Sequence, residues 1–243
     1  MLIINADDYG RNTTATDNTL KCFTRGGVTS ASAMVFMEDS ERAARLALEH
    51  GLDTGLHLNF TLPFDGEVRS PKLVGSHQRI ASFLGKNKYC TLIYNPILRN
   101  QFEYVYKMQY EEYARIYGKE PTQIDGHHHM HLCMNMLVSN LIPKGFRVRR
   151  TFTVSSLEKN IVNRFYRYVV DARLLHRYTC TDCFFSVMPL DNRARLRTIV
   201  SLARSQNVEL MVHPEKIEEY NYLLAEDYLQ MISHVVKGSY SCL

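Results

Sequence analysis

The feature that most constrains the fold of this chain is an alternation running along its length, in which short apolar or β-branched runs are separated by stretches of helical periodicity. The runs are Leu2 to Ala6, Val28 to Phe36, Thr54 to Phe60, Gln123 to Gly126, Phe146 to Thr151, Cys183 to Val187 and Val208 to Val212. Strands that return in parallel need a long crossover, usually a helix, so this pattern predicts an α/β fold with a mostly parallel sheet and helices outside it. The sheet would be either closed as a (β/α) barrel or open and doubly wound, and about seven strands favours the barrel.

One helical stretch, Asp39 to His50, has Ala43, Leu46 and Ala47 on its apolar face, Asp39 or Ser40 as its cap and Gly51 as its stop. Similar faces run from Asp191 to Ser205 and from Glu226 to Val236, each opened by an acidic residue that suits a helix N-terminus. At 243 residues the chain reads as one domain, 1–243. Within it, 61–95 carries Pro63, Gly66, Pro71, Gly75 and Gly85 and reads as an irregular insertion near the functional cleft.

Composition narrows the function. Hydrophobic residues at 45% and charged residues at 22% are those of an ordinary globular protein. The net charge of +4 comes from 29 basic residues scattered among 25 acidic ones, with no stripe suited to a phosphate backbone, so no nucleic-acid partner is expected. The densest basic group, Arg147, Arg149 and Arg150, suits substrate anchoring better. The opening MLIINADDYG has no signal-peptide pattern and no apolar run reaches 18 residues, so the expectation is a cytoplasmic protein with no membrane partner. The six cysteines need no disulfide framework, and Cys180 with Cys183 lacks the second pair of a zinc site.

Four places collect chemistry. Asn5-Ala-Asp7-Asp8-Tyr9-Gly10 follows an apolar strand and, taken alone, reads as a turn or cap. His57 lies in GLHLNF and, taken alone, reads as a hydrogen-bonded core histidine. The run Asp125-Gly-His127-His128-His129-Met-His131 is harder to explain structurally, because four histidines in five positions each need a partner if buried. In an extended segment His127, His129 and His131 would share one side and His128 the other. His213 ends the apolar run Leu210 to Val212. Asp and His at several strand ends converge on one edge of an α/β sheet, where active sites form. Imidazoles and a carboxylate there would hold a divalent ion, and a further carboxylate and histidine would suit amide hydrolysis.

NADDYG, GLHLN, DGHHHMH and MVHP stand in the order and approximate spacing of the YdjC-like carbohydrate deacetylases, which the chain resembles over nearly its whole length. The resemblance implies a distorted (β/α) barrel and hydrolytic removal of an acetyl group from an N-acetylated sugar, such as a chito-oligosaccharide. It further implies Asp7 as catalytic base, Asp8, His57 and His127 as metal ligands, and His213 as general acid. One divalent metal ion is implied, Mg²⁺ by the resemblance, while the ligand types also suit Zn²⁺. A homodimer is a weaker implication. Tyr9 stands where the family has Phe, and the residues after His57 follow its pattern only loosely. A metal-dependent phosphoesterase and a non-catalytic sugar- or metal-binding protein are the alternatives. The first needs more bridging carboxylates; the second needs neither Asp7 nor His213.

Overall fold

The first strand, β1 (Leu2–Tyr9), is buried at all eight residues, as befits a central strand covered on both faces. It pairs in parallel with β2 (Ser30–Ala33) on one side and with β6 (Val208–Val212) on the other, Asn5 lying opposite Ser30 and Met211. The sheet continues through β3 (Asp53–Leu58) to β4 (Ile124–Gly126) and, beyond β6, to β5 (Cys183–Ser186), in the order β4-β3-β2-β1-β6-β5. A short β7 (Lys237–Gly238) pairs with the start of β1. Every pairing is parallel. This computed structural model describes residues 1–68, 70–153 and 161–243; Arg69, within the 61–95 stretch, lies outside them.

Helices carry each crossover: α1 (Thr13–Thr24), α2 (Ser40–His50), α3 (Pro71–Leu84), α4 (Arg99–Tyr117), α5 (Met134–Ser139), α6 (Ile161–Arg177), α7 (Arg193–Leu202), α8 (Ile217–Leu224) and α9 (Glu226–Ile232). In α4, Phe102, Val105, Tyr106, Gln109, Tyr113 and Tyr117 are buried at helical spacing, and Tyr113 ties the helix to β3 by donating to the Thr54 carbonyl at 2.8 Å. Gly51 ends α2 in the left-handed region, φ 66°, as expected. Asp39 occupies the cap of α2 but makes no cap hydrogen bond, because Arg42 takes both its oxygens. Asn192 rather than Asp191 caps α7, accepting from the Arg195 amide.

Two expectations need correction. Phe146 to Thr151 is not a regular strand. It makes single bridges, Val148 with Ile124 and Arg147 with Thr179, and farther on Thr153 donates to the Phe184 carbonyl at 2.8 Å. The segment thus touches both edge strands, β4 and β5, and curls the sheet toward a distorted barrel without a full ladder. Nor is 61–95 irregular throughout. Ser70 caps α3 by accepting from the Leu73 amide, Pro71 fits its first turn, and Leu73, His77, Ile80 and Leu84 form the buried stripe. Gly75, which suggested a loop, sits inside this helix because the stripe outweighs its low propensity.

Candidate active site

The carboxyl ends of β1, β3 and β4 meet at one buried cluster. Strand geometry would send Asp7 and Asp8 to opposite faces. A bulge between Ala6 and Tyr9, with Asp8 at φ 64°, breaks that alternation and brings both carboxylates to His57. A left-handed aspartate costs on the order of 1 kcal/mol or more, and such strain collects at functional sites.

Asp8, His57 and His127 offer ligand atoms that all lie within 4.8 Å of one another. Asp8 Oδ1 is 2.7 Å from His127 Nδ1 and 3.3 Å from His57 Nε2. His57 is oriented from behind, its Nδ1 lying 2.7 Å from Asp125 Oδ1, which leaves Nε2 for the cluster. Burial opposes charge on His57, yet Asp125 and Asp7 push its pKa up to about 10. Burial likewise opposes ionisation of Asp8, but hydrogen bonds from His127 and His57 hold its carboxyl well below the ordinary range. The pocket selects positive charge: Asp7, Asp8 and Asp125 outnumber the Arg149 guanidinium and a protonated His57 by one. One carboxylate and two imidazoles, one with an outer carboxylate partner, are a donor set that fits a divalent cation.

Asp7 is held differently. Arg149, fully buried, donates to both of its oxygens at 2.7 Å and Asn5 to one at 3.0 Å. Burial raises the Asp7 pKa, but the Arg149 charge outweighs it and keeps the carboxylate ionised. The same guanidinium lies 2.7 Å from Asp125 Oδ2 and from Glu209 Oε1, while the Tyr240 hydroxyl donates to the other Glu209 oxygen. Burial pushes Glu209 up to about 7 even beside Arg149. A polar lattice completes the floor: Ser32 donates to Asp125 at 2.8 Å, Asn5 and Gln123 donate to Ser32, and Ser30 donates to Asn5.

His213 follows β6, and its backbone amide donates to Glu219 Oε2 at 2.7 Å. Burial would lower its pKa, yet the Glu219 carboxylate and the charge of Asp7 raise it above the ordinary value. All five residues predicted for the site therefore lie at carboxyl ends of the sheet, Asp7, Asp8, His57 and His127 in one cluster and His213 within reach of the Asp7 field.

The expected alternation of the histidine run is corrected. His127 to Leu132 form a 3₁₀ segment with His128 at φ 53° and His129 at φ 58°, so the side chains do not alternate. Gly126 permits the turn, since a Cβ there would lie 3.0 Å from the His131 amide and 3.1 Å from the Leu58 carbonyl. His128 lies tilted against His127 with ring centroids 3.9 Å apart, His129 packs edge-on to Phe152 and Phe184, and buried His131 lies 3.1 Å from the Arg149 carbonyl. Burial lowers His129 to about 3 and His131 to about 4, which keeps both neutral. Phe64 packs between Phe36 and His77.

Sequence reasoning gave no role to Asp125, Glu209 or Tyr240, and read Arg149 only as part of a basic group suited to substrate anchoring. Glu209 carried a usable signal, a carboxylate between Val208 and Leu210 in an apolar strand.

A family model described as YdjC-like protein matches residues 1–234. Among curated relatives, a carbohydrate deacetylase of Mus musculus is 30% identical over 135 residues, 54% of this chain and 43% of that protein. A chitooligosaccharide deacetylase of Yersinia pestis (strain Pestoides F) is 30% identical over 135 residues, 54% of this chain and 51% of that protein. These matches span about half the length of the relatives or less. Among solved structures, an Enterococcus faecalis V583 protein provisionally assigned to cellobiose-phosphate cleavage superposes with a TM-score of 0.70 at 20% identity, over 99% of this chain and 97% of that one. That likeness shows a shared fold.

Proposed function

This chain belongs to the YdjC-like family, and from that premise we propose that it hydrolyses the acetamide of an N-acetylated amino sugar, releasing acetate. The observation that carries the reading is the pairing of two adjacent carboxylates with separate tasks, Asp7 gripped by Arg149 and Asp8 facing His57 and His127. The names of the curated relatives support a carbohydrate substrate, and a chito-oligosaccharide such as diacetylchitobiose is the one proposed.

Asp8, His57 and His127 would hold one divalent cation, with Mg²⁺ proposed from the family and Zn²⁺ suited by the ligand types. A cation bound there supplies Lewis acidity that polarises the acetyl carbonyl. Asp7, ionised at neutral pH, accepts the proton of the attacking water, and Arg149 fixes the direction from which it does so. As the carbon–nitrogen bond breaks, His213, whose pKa the Glu219 carboxylate raises, gives its proton to the leaving amine. Water is consumed, and acetate and a free amino sugar leave.

The test is acetate release from diacetylchitobiose by metal-stripped protein with each divalent ion restored in turn. Asp7→Asn should lose about 10²-fold to 10⁴-fold in kcat while still binding metal, whereas His127→Ala should lose both metal and activity. Absence of acetate from several N-acetylated sugars with every ion would remove the deacetylase reading.

A further inference from the structure

Away from the charge cluster, helices α7 and α9 pack against each other and leave a groove of about 450 Å³ between them. None of the described residues lining it belongs to the cluster. From α7 and the turn after it come Arg193, Arg197 and Arg204; from α9 and the turn after it come Asp227, Gln230 and His234. Each set recurs at three- and four-residue steps or their sum, so one face of each helix is turned toward the groove.

Three guanidiniums thus face one carboxylate, and that carboxylate is already engaged, since Arg193 lies 2.8 Å from Asp227. No described residue holds the side chain of Arg197 or Arg204 by hydrogen bond or ion pair, and the same is true of the Gln230 amide and the His234 ring. Other arginines of the chain are occupied. Arg42 is held by Asp39 and Asp17, Arg115 by Glu112 and Glu41, and Arg195, also on α7, by the Ser186 carbonyl.

Helix stability does not account for this arrangement. The first turn of α7 carries no acidic residue and opens on Arg193 and Arg195, at the end of the helix dipole that disfavours cations. Arg193 and Arg197, four residues apart, add like-charge repulsion. An anion in the groove offsets both costs. A guanidinium fork matches two oxygens of a phosphate group, and two forks with separate roots suit two linked phosphates. Arg197 and Arg204 stand seven residues apart, about two turns or ~10 Å along the chain, so each can take its own phosphate of a single ligand while His234 and Gln230 donate from across the groove. The groove volume falls within the range of small-molecule sites, ~300–1,000 Å³, whereas a nucleic-acid backbone needs a longer basic track.

We propose that the groove between α7 and α9 binds a small molecule carrying two or more linked phosphate groups, held by Arg197 and Arg204 on one side and by His234 and Gln230 on the other. The site stands apart from the deacetylase reading, because none of its residues takes part in the steps given above and its occupancy is read as binding.

The experiment is a calorimetric titration of the full chain with pyrophosphate, compared with inorganic phosphate and citrate, at about 0.15 M salt so that loose surface attraction is screened. The protein is stripped of metal so that no cation at the charge cluster holds the anion. Pyrophosphate should bind with a Kd below about 1 mM and at least about tenfold more tightly than either comparison anion. Arg197→Gln and Arg204→Gln, at exposed positions with no partner to lose, should each weaken it by about tenfold, and the double variant should abolish it with the ligand-free melting temperature unchanged. Arg11→Gln, beside the charge cluster, should leave it as it was. Binding that survives in the double variant, affinity no better than that for inorganic phosphate, or no binding at millimolar pyrophosphate would overturn the site. Citrate bound as tightly would overturn its phosphate chemistry, and capture of an RNA oligomer without pyrophosphate binding would put a polymer in place of the small molecule.

Discussion

At one end of the buried charge cluster, Arg149 is shared by Asp7, Asp125 and Glu209, none of the four more than 4% exposed. At the other end, Asp8, His57 and His127 face one another, and the Arg11 guanidinium comes only to 4.0 Å from Asp8. Both ends gather carboxylates in a place that disfavours them. The first answers with a covalently attached cation and becomes a rigid clamp; the second answers with titratable imidazoles, which can give up a proton to make way for a metal ion. The difference lies in who supplies the positive charge, a fixed guanidinium at one end and titratable imidazoles at the other.

The largest expected effect breaks the clamp. Arg149→Met leaves Asp7 and Glu209 buried without their guanidinium partner and should cost about 3–5 kcal/mol in denaturant unfolding. Asp8→Asn, measured alike without added metal, should cost less, since asparagine tolerates the left-handed backbone there and keeps an oxygen for His57 and His127. Equal losses would erase the distinction between the two ends.

Asp125 is the hinge between them, touching Arg149 with one oxygen and His57 with the other. Asp125→Asn should weaken metal affinity by about 10-fold to 100-fold, the usual consequence of losing the partner behind a ligating histidine. Titration of stripped protein followed by calorimetry reads it directly, and unchanged affinity would assign Asp125 to the clamp alone.

The smallest effect concerns His213, outside both ends. Its folded pKa lies above its unfolded one because of Glu219, so the stabilisation from that pairing is complete below the unfolded pKa and is lost as the pH rises through the folded value. Acetate release should therefore fall on the alkaline side as His213 loses its proton. Glu219→Gln should move that limb to lower pH; a limb that stays in place would mean that another group donates the proton.

Much of this was readable in the residues. Each of the seven apolar runs falls on strand or strand-like chain, because a strand buried on both faces has to be apolar nearly throughout. The run Phe146 to Thr151 satisfied the same pattern but ladders only through single bridges, since pairing depends on where neighbouring strands lie and not on local preference. The α3 helix was hidden by Pro71 and Gly75, which punctuate loops elsewhere but here occupy a first turn and a tolerated interior position.

By itself the sequence determined the layered α/β plan and the residue types available for chemistry, because periodicity and side-chain identity are local properties. Only the tertiary structure decided which groups meet. Asp7 and Arg149 are 142 positions apart, Arg149 and Glu209 60, and Asp8 and His127 119. Nothing along the chain states that a bulge at Asp8 turns two neighbouring carboxylates toward one histidine, or that one arginine is clamped and another left at a cleft wall. Those outcomes follow from how parallel strands register and where their carboxyl ends converge, which is a property of the assembled sheet.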